Sequence, residues 1–289
     1  MTFEELMPKL MQWSTAAEAL AALGAHLTLA QSGAEAPPEV AEALQKVIDA
    51  AGLGGVDEMP PPQRAMVANF ANMYVHQAYE LVDAPSRATG WTFTDPVILD
   101  GWGRGSMMVP PMIKAAHPDL DGVTSFLDVG TGVGLLAVSA AGIWPAASIV
   151  GIDIWDPSLE RARANVTGAG LDGRITLRKQ GLVELSDTDT FDCAWVPTFF
   201  VTEADLEKAL PAVVESLRPG GWVALGLMRP PPDLLAAAIF DLRTIRGGGC
   251  VLTADRATEL LDTAGCTESH LVPSPPPAPL QLVLGQRPI

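Results

Sequence analysis

A chain of 289 residues with 48% hydrophobic and 18% charged side chains has the make-up of a globular protein, one large domain or a domain with an appendage. A formal net charge of −16 and the lack of any basic run argue against a surface that grips nucleic acid, because phosphate contacts call for clustered Lys and Arg. Cys193, Cys250 and Cys266 stand apart without C-x-x-C spacing, a pattern that supports neither a disulfide framework nor a zinc site and fits a reducing cytoplasm.

In chain order, Phe3, Leu6, Leu10, Trp13, Ala17 and Leu20 recur at spacings of three and four, one apolar stripe of a helix. The opening MTFEELMPKL has acids and no signal-peptide pattern. QSGAEAPP at 31–38 reads as a loop, Glu39–Ala50 as a second helix, and Gly52–Pro62 as a break. A third helix starts at Pro62 or Gln63 and runs to about Val82, with Met66, Phe70, Met73, Tyr74 and Leu81 on its apolar side. Its other side carries Asn69, Asn72, His76, Glu80 and Asp83, either a solvated face or groups that meet a substrate. Residues 1–90 thus read as a helical N-terminal domain. A bridge follows at 91–122, whose stretch WTFTDPVILDGWGRGSMMVPP combines Trp91, Phe93 and Trp102 with Gly101, Gly103 and Gly105 and reads as aromatic and tightly turned.

Residues 123–289 carry the informative pattern. FLDVGTGVG at 126–134 and the run SIVGID ending at Asp153 read as strand, glycine turn, helix and strand (Ser125–Val129, Leu135–Ile143, Ser148–Ile152). No charge interrupts the chain between Asp128 and Asp153, but the glycines and the break at Trp144–Ser148 make this a buried helix and strand rather than a membrane span. Glycines allow a sharp turn and close approach of a ligand to backbone. The helix N-terminus offers unpaired N–H groups, and an acid ending the second strand suits the hydroxyls of a ribose. The strand–turn–helix–strand unit therefore reads as a site for a nucleoside-containing cofactor. A dinucleotide fingerprint needs a third glycine where Leu135 stands, which disfavours a nicotinamide enzyme.

The order D-x-G-x-G-x-G, from Asp128 through Gly130, Gly132 and Gly134, resembles the first motif of the class I S-adenosylmethionine-dependent methyltransferases. The resemblance spans roughly residues 100–289: Leu159–Val166 as a helix, Arg174–Arg178 as the third strand, FDCAWVP (191–197) as the fourth, LRPGGWVALGL (217–227) as helix end, turn and fifth strand, 253–266 as the last helix, and Thr267–Val272 with Leu280–Gln286 as a closing antiparallel pair. It implies an α/β fold: a seven-stranded, mostly parallel, doubly wound sheet behind the helical N-terminal domain, which would serve as lid or dimer surface. It further implies that Gly130, Thr131, Gly132 and Gly134 wrap the methionine part of S-adenosylmethionine. Asp128 would orient the turn or reach the cofactor's amino group, Asp153 would bind the ribose and Ile154 would cover the adenine. Many relatives place an acid after the third strand; here Gly181 and Leu182 take that place and offer backbone groups instead.

Methyl transfer from a sulfonium needs alignment, exclusion of water and, for a hydroxyl acceptor, a route for the proton. Among four histidines, His117 precedes the first strand, His270 lies in the sixth and His26 in or near the first helix, which leaves His76 as the candidate base. Asp95 and Asp100 are comparable, with the plainer reading of turn residues. Trp102, Arg104 and Ser106 are placed to border the cofactor's carboxylate or the substrate. After the fourth strand, Trp195, Pro197, Thr198, Phe199 and Phe200 are expected at the productive edge, where relatives acting on amide or nucleobase nitrogens carry N/D-P-P-Y/F. W-V-P-T-F is not that motif and suits an apolar or aromatic small molecule. Met228, Arg229, Ile239, Phe240 and Arg243 would add pocket walls; Arg229 or Arg243 would pair with a substrate carboxylate or remain a surface charge. The expected reaction is methylation of a small organic acceptor, oxygen before nitrogen or carbon, by a cytoplasmic protein that binds neither nucleic acid nor membrane; its amphipathic first helix either joins two copies as a homodimer or packs within its own chain. A protein-directed enzyme and a catalytically silent cofactor-binding relative are the alternatives.

Overall fold

The computed structural model describes residues 1–274 and 279–289. It divides into two compact units, residues 1–86 with 95–105, and residues 87–94 with 106–289.

The first unit is helical. Helix α1 (Phe3–Ser32) starts from a capping box in which Thr2 Oγ1 accepts the Glu5 N–H and the Glu5 carboxylate accepts the Thr2 N–H. It ends at Gly33, whose φ of 66° is the left-handed C-cap that glycine adopts without strain. Helix α2 (Pro38–Ala50) and α3 (Pro61–Asp83) each begin on a proline, and Leu27, Ile48, Val56 and Ala68 form the small core. Helix α4 (Pro96–Ser106) belongs to this unit except for Ser106. The glycine-rich bridge is therefore helical here, not tightly turned. Gly101 is used for close packing: a Cβ there would fall 2.8 Å from Met73 Cγ. The polar side of α3 is likewise not simply a wet face. Asn72 Nδ2 donates to Thr28 Oγ1 on α1 at 3.0 Å, and Asn69 Nδ2 donates to the Gly101 carbonyl on α4 at 3.0 Å. The expected stripe of α1 is exposed at Phe3, Leu10 and Trp13, while Leu27 further along is buried.

In the second unit, α5 (Val109–Ala116) precedes β1 (Ser125–Val129), α6 (Leu135–Ile143), β2 (Ser148–Asp153), α7 (Asp156–Gly168), β3 (Ile175–Lys179) and β4 (Phe191–Pro197). Helix α8 (Glu203–Ser216), β5 (Leu217–Met228), α9 (Leu234–Arg246), α10 (Ala254–Thr263), β6 (Thr267–Leu271) and β7 (Leu280–Gln286) complete it. The seven strands order as β3-β2-β1-β4-β5-β7-β6, with β7 antiparallel to β5 and β6 and every other pair parallel. This is the doubly wound α/β sheet the resemblance implied. Apolar side chains alternate between two faces: Phe126, Cys193, Trp195 and Trp222 pack with α5 and α6 on one, and Leu127, Val129, Val196 and Leu225 pack with α8 and α10 on the other. The chain leaves β1 toward β2 and β3, then returns to β4 on the other side of β1. That reversal opens a crevice at the C-terminal ends of β1 and β4, where ligands of such sheets bind. Among the described residues, no helix is long and apolar enough to cross a membrane.

Candidate active site

The turn after β1 is built to stand at this crevice. Gly130, Gly132 and Gly134 take φ values of 64°, 55° and 76°, a left-handed backbone that side chains with a Cβ enter only with strain. The turn is tied to β2 by the Thr131 N–H, which donates to the Ile152 carbonyl at 3.0 Å, and to α7 by Asn165 Nδ2, which donates to the Val133 carbonyl at 2.8 Å. Two carboxylates face the turn. Asp128 is buried; its Oδ2 accepts the Thr131 hydroxyl at 2.7 Å and its Oδ1 has no partner. Burial pushes its pKa up to about 7, the Asp153 charge adds to this, and the Thr131 hydrogen bond opposes it. Gly151 leaves the room this contact needs, since a Cβ on it would lie 2.7 Å from Thr131 Oγ1. Asp153 Oδ2 accepts the Gly132 N–H and its Oδ1 accepts the Trp155 N–H, both at 2.8 Å. Burial raises its pKa against the pull of those bonds and of the Ile154 amide. Next to it, Ile154 is 68% exposed, and its Cγ2 lies 3.5 Å from where a Cβ on Gly181 would stand. An exposed isoleucine beside an acid at a sheet's C-terminal edge is an apolar surface for a planar ring.

The family profile described as "Methyltransferase domain" matches residues 126–221, which run from β1 through the glycine turn, Asp153 and β4 into β5. This stretch of the chain is a methyltransferase domain. Methyltransferase GfsG of Streptomyces halstedii is 28% identical over 205 residues, covering 65% of this chain and 67% of that protein. In three other curated relatives the aligned stretch spans 48%, 34% and 28% of the relative's length. Human N-acetylserotonin methyltransferase, solved with S-adenosylmethionine, shares the fold at a TM-score of 0.70 and 14% identity over 98% of each chain. Mitomycin 7-O-methyltransferase MmcR does so at 0.67 and 18% over 98% of this chain and 97% of its own.

The residues at the turn fit S-adenosylmethionine, the ligand with which that human neighbour was solved. The partnerless, buried Oδ1 of Asp128 is an acceptor that an ammonium group would satisfy. The Asp153 carboxylate keeps acceptor capacity for ribose hydroxyls beyond its two amide bonds.

Other expected residues of the methyltransferase sort differently. Gly181 adjoins Ile154, but its N–H already donates to Glu184 Oε2 at 3.0 Å, and Leu182 leans on the core beneath. Trp195 is corrected: its ring is in the core, 3% exposed, filling the space that Gly226 leaves empty, so it supports the edge from below rather than lining it. Thr198 is corrected too, since it is buried and its hydroxyl donates to the Gly226 carbonyl at 2.9 Å. Phe199 and Phe200 do stand beyond β4, with ring centroids 4.7 Å apart. Met228 ends β5 against the core, and Arg229 is engaged with Pro279 through its N–H (2.7 Å) and with Ser274 through Nη2 (3.5 Å). Ser106 belongs to this second unit and is half-buried, whereas Trp102 and His76 belong to the first. There, His76 Nδ1 lies 2.6 Å from Asp95 Oδ2. Burial would raise the Asp95 pKa, but bonds from His76 and from the Val97 and Ile98 amides win and hold it below the ordinary carboxylate value.

Trp155, Arg87 and the contacts of Trp91 and Phe93 escaped the sequence reading. The Trp155 indole N–H donates to the Phe93 carbonyl at 2.8 Å, and Trp91 packs edge-on against Phe93 (5.0 Å) and Phe200 (4.7 Å). The Arg87 guanidinium lies over the Phe93 ring at 4.4 Å and donates to the Gly90 carbonyl. A tryptophan two residues after Asp153 was the available signal.

Proposed function

We propose that this methyltransferase acts on a small, largely apolar or aromatic organic acceptor, with oxygen the atom methylated. The observation that carries the reading is the edge beyond β4. It presents Phe199 and Phe200, with Trp91 packed on the latter, in place of an N/D-P-P-Y/F amide clamp. Flat apolar rings recognise an acceptor by burial and stacking, not by holding an amino group. The naming of one structural neighbour as a mitomycin 7-O-methyltransferase and of another as an N-acetylserotonin methyltransferase supports a small-molecule acceptor.

When bound, S-adenosylmethionine supplies an activated methyl group. The chain's own tasks are to hold Asp128 and Asp153 against it, to align the acceptor and to keep water out. We take His76 as the residue that removes the acceptor's proton. Its support is the short contact to Asp95, which fixes the imidazole's orientation. The acidic surface, net −16, supports a partner other than nucleic acid. The exposed Phe3, Leu10 and Trp13 of α1 support self-association.

Incubation with isotope-labelled S-adenosylmethionine and a metabolite library, followed by mass spectrometry, tests the reading. Label is expected in a small molecule bearing one added methyl ether, with turnover cut about a hundredfold or more by His76→Ala. Label in protein or RNA alone would refute it.

A further inference from the structure

Residues 87–94 are separated from their chain neighbours on both sides, since residues 1–86 and 95–105 form the other unit while this stretch belongs with the sheet. Four anchors hold it there. At one end the Phe93 carbonyl accepts the indole N–H of Trp155, just past β2. In the middle, Trp91 sits on Phe200, just past β4. At the other end, the Gly90 N–H donates to the Arg246 carbonyl at the close of α9 at 3.1 Å, and Arg87 Nη2 donates to the same carbonyl at 3.4 Å. Because β1 lies between β2 and β4, a stretch tied to the ends of both runs along the edge that carries the glycine turn.

One of these anchors leads straight to the cofactor acid. Trp155 donates its main-chain N–H to Asp153 Oδ1 and its indole N–H to the Phe93 carbonyl. A single residue thus joins the carboxylate to the strap through two hydrogen bonds. We propose that residues 87–94 are a strap whose order depends on cofactor occupancy, with Trp155 as the positioning residue that transmits it from Asp153. The inference rests on reading Asp153 as the ribose contact. Ribose hydroxyls donating to the remaining lone pairs of Asp153 fix that carboxylate, which fixes the Trp155 backbone, and the indole then fixes Phe93. Trp91 follows through its edge contact with Phe93, so the aromatic wall beside Phe200 sets in place once the cofactor is bound. The acceptor would then meet a formed wall only in the loaded enzyme, which orders binding as cofactor first.

Hydrogen–deuterium exchange on the full-length protein, with and without S-adenosylhomocysteine, tests this alongside calorimetric titration of the same ligand. In the wild type, the ligand is expected to slow exchange across 87–94 by about tenfold or more. In Trp155→Phe, which keeps an aromatic ring and the main-chain N–H but lacks the indole donor, that slowing should vanish while the ligand still binds within about fivefold of wild type. Arg87→Gln loosens the strap at its far end, so basal exchange should rise and the ligand-induced slowing should remain. Ligand bound with no change at 87–94, full slowing in Trp155→Phe, or its loss in Arg87→Gln each overturns the proposal. Failure of the wild type to bind S-adenosylhomocysteine overturns the cofactor reading itself and the coupling with it.

Discussion

Asp128 is held at a pKa near 7 by burial, and the sign of its effect on stability follows. The folded chain holds this proton more tightly than the unfolded one, so ionising the carboxyl counts against the fold. The contribution is absent below the ordinary aspartate pKa near 3.8 and complete above about 7, on the order of 4 kcal/mol in total at about 1.4 kcal/mol per pH unit. The ligand-free protein should therefore lose stability as pH rises through that window, and Asp128→Asn should remove this part of the slope in thermal melts. Binding runs the opposite way. An ammonium facing Asp128 favours the charged form, so affinity for S-adenosylhomocysteine should climb with pH, by up to about tenfold per unit, and level off near 7. Calorimetry in the variant should show a flatter profile and weaker binding.

Among the elements, β4 and β5 show how a strand's register decides which side chains reach the edge. Trp195 and Ala224 are partners, and the indole lies over Gly226 so closely that a Cβ there would fall 2.0 Å from Trp195 Cη2. Gly226→Ala should cost about 3 kcal/mol through overpacking, and adding Trp195→Leu should recover much of it; differential scanning calorimetry on both variants checks this. The same pair marks where sequence reading stopped. The strands and the turn of Gly130, Gly132 and Gly134 were legible because apolar runs, glycines and an acid at fixed spacing are local signals. Whether Trp195 lined the edge or lay beneath it depended on a glycine thirty-one positions later in a neighbouring strand. Gly101 and Gly105 misled for a related reason. They break helices in isolation, yet α3 sets Met73 and Phe70 against them, and close packing kept α4 helical. The Trp155–Phe93 link was hidden because it joins residues sixty-two positions apart.

For the whole molecule, the doubly wound sheet and the methyltransferase domain within it account for the match at residues 126–221, and the helical unit lies before it in sequence. The boundary between the two is not a single point. The chain passes from one unit to the other after Ser86, returns after Thr94 and departs again after Gly105. Helix α4 is fastened to α3 by the Asn69 bond to the Gly101 carbonyl. A protease nick at Ser86–Arg87 would accordingly leave two fragments that stay together through gel filtration under native conditions and part only in denaturant. Fragments that separate without denaturant would contradict this weave. A gene split at that junction would thus encode halves able to reassemble, whereas two independently expressed domains would need one half to donate residues 95–105 to the other.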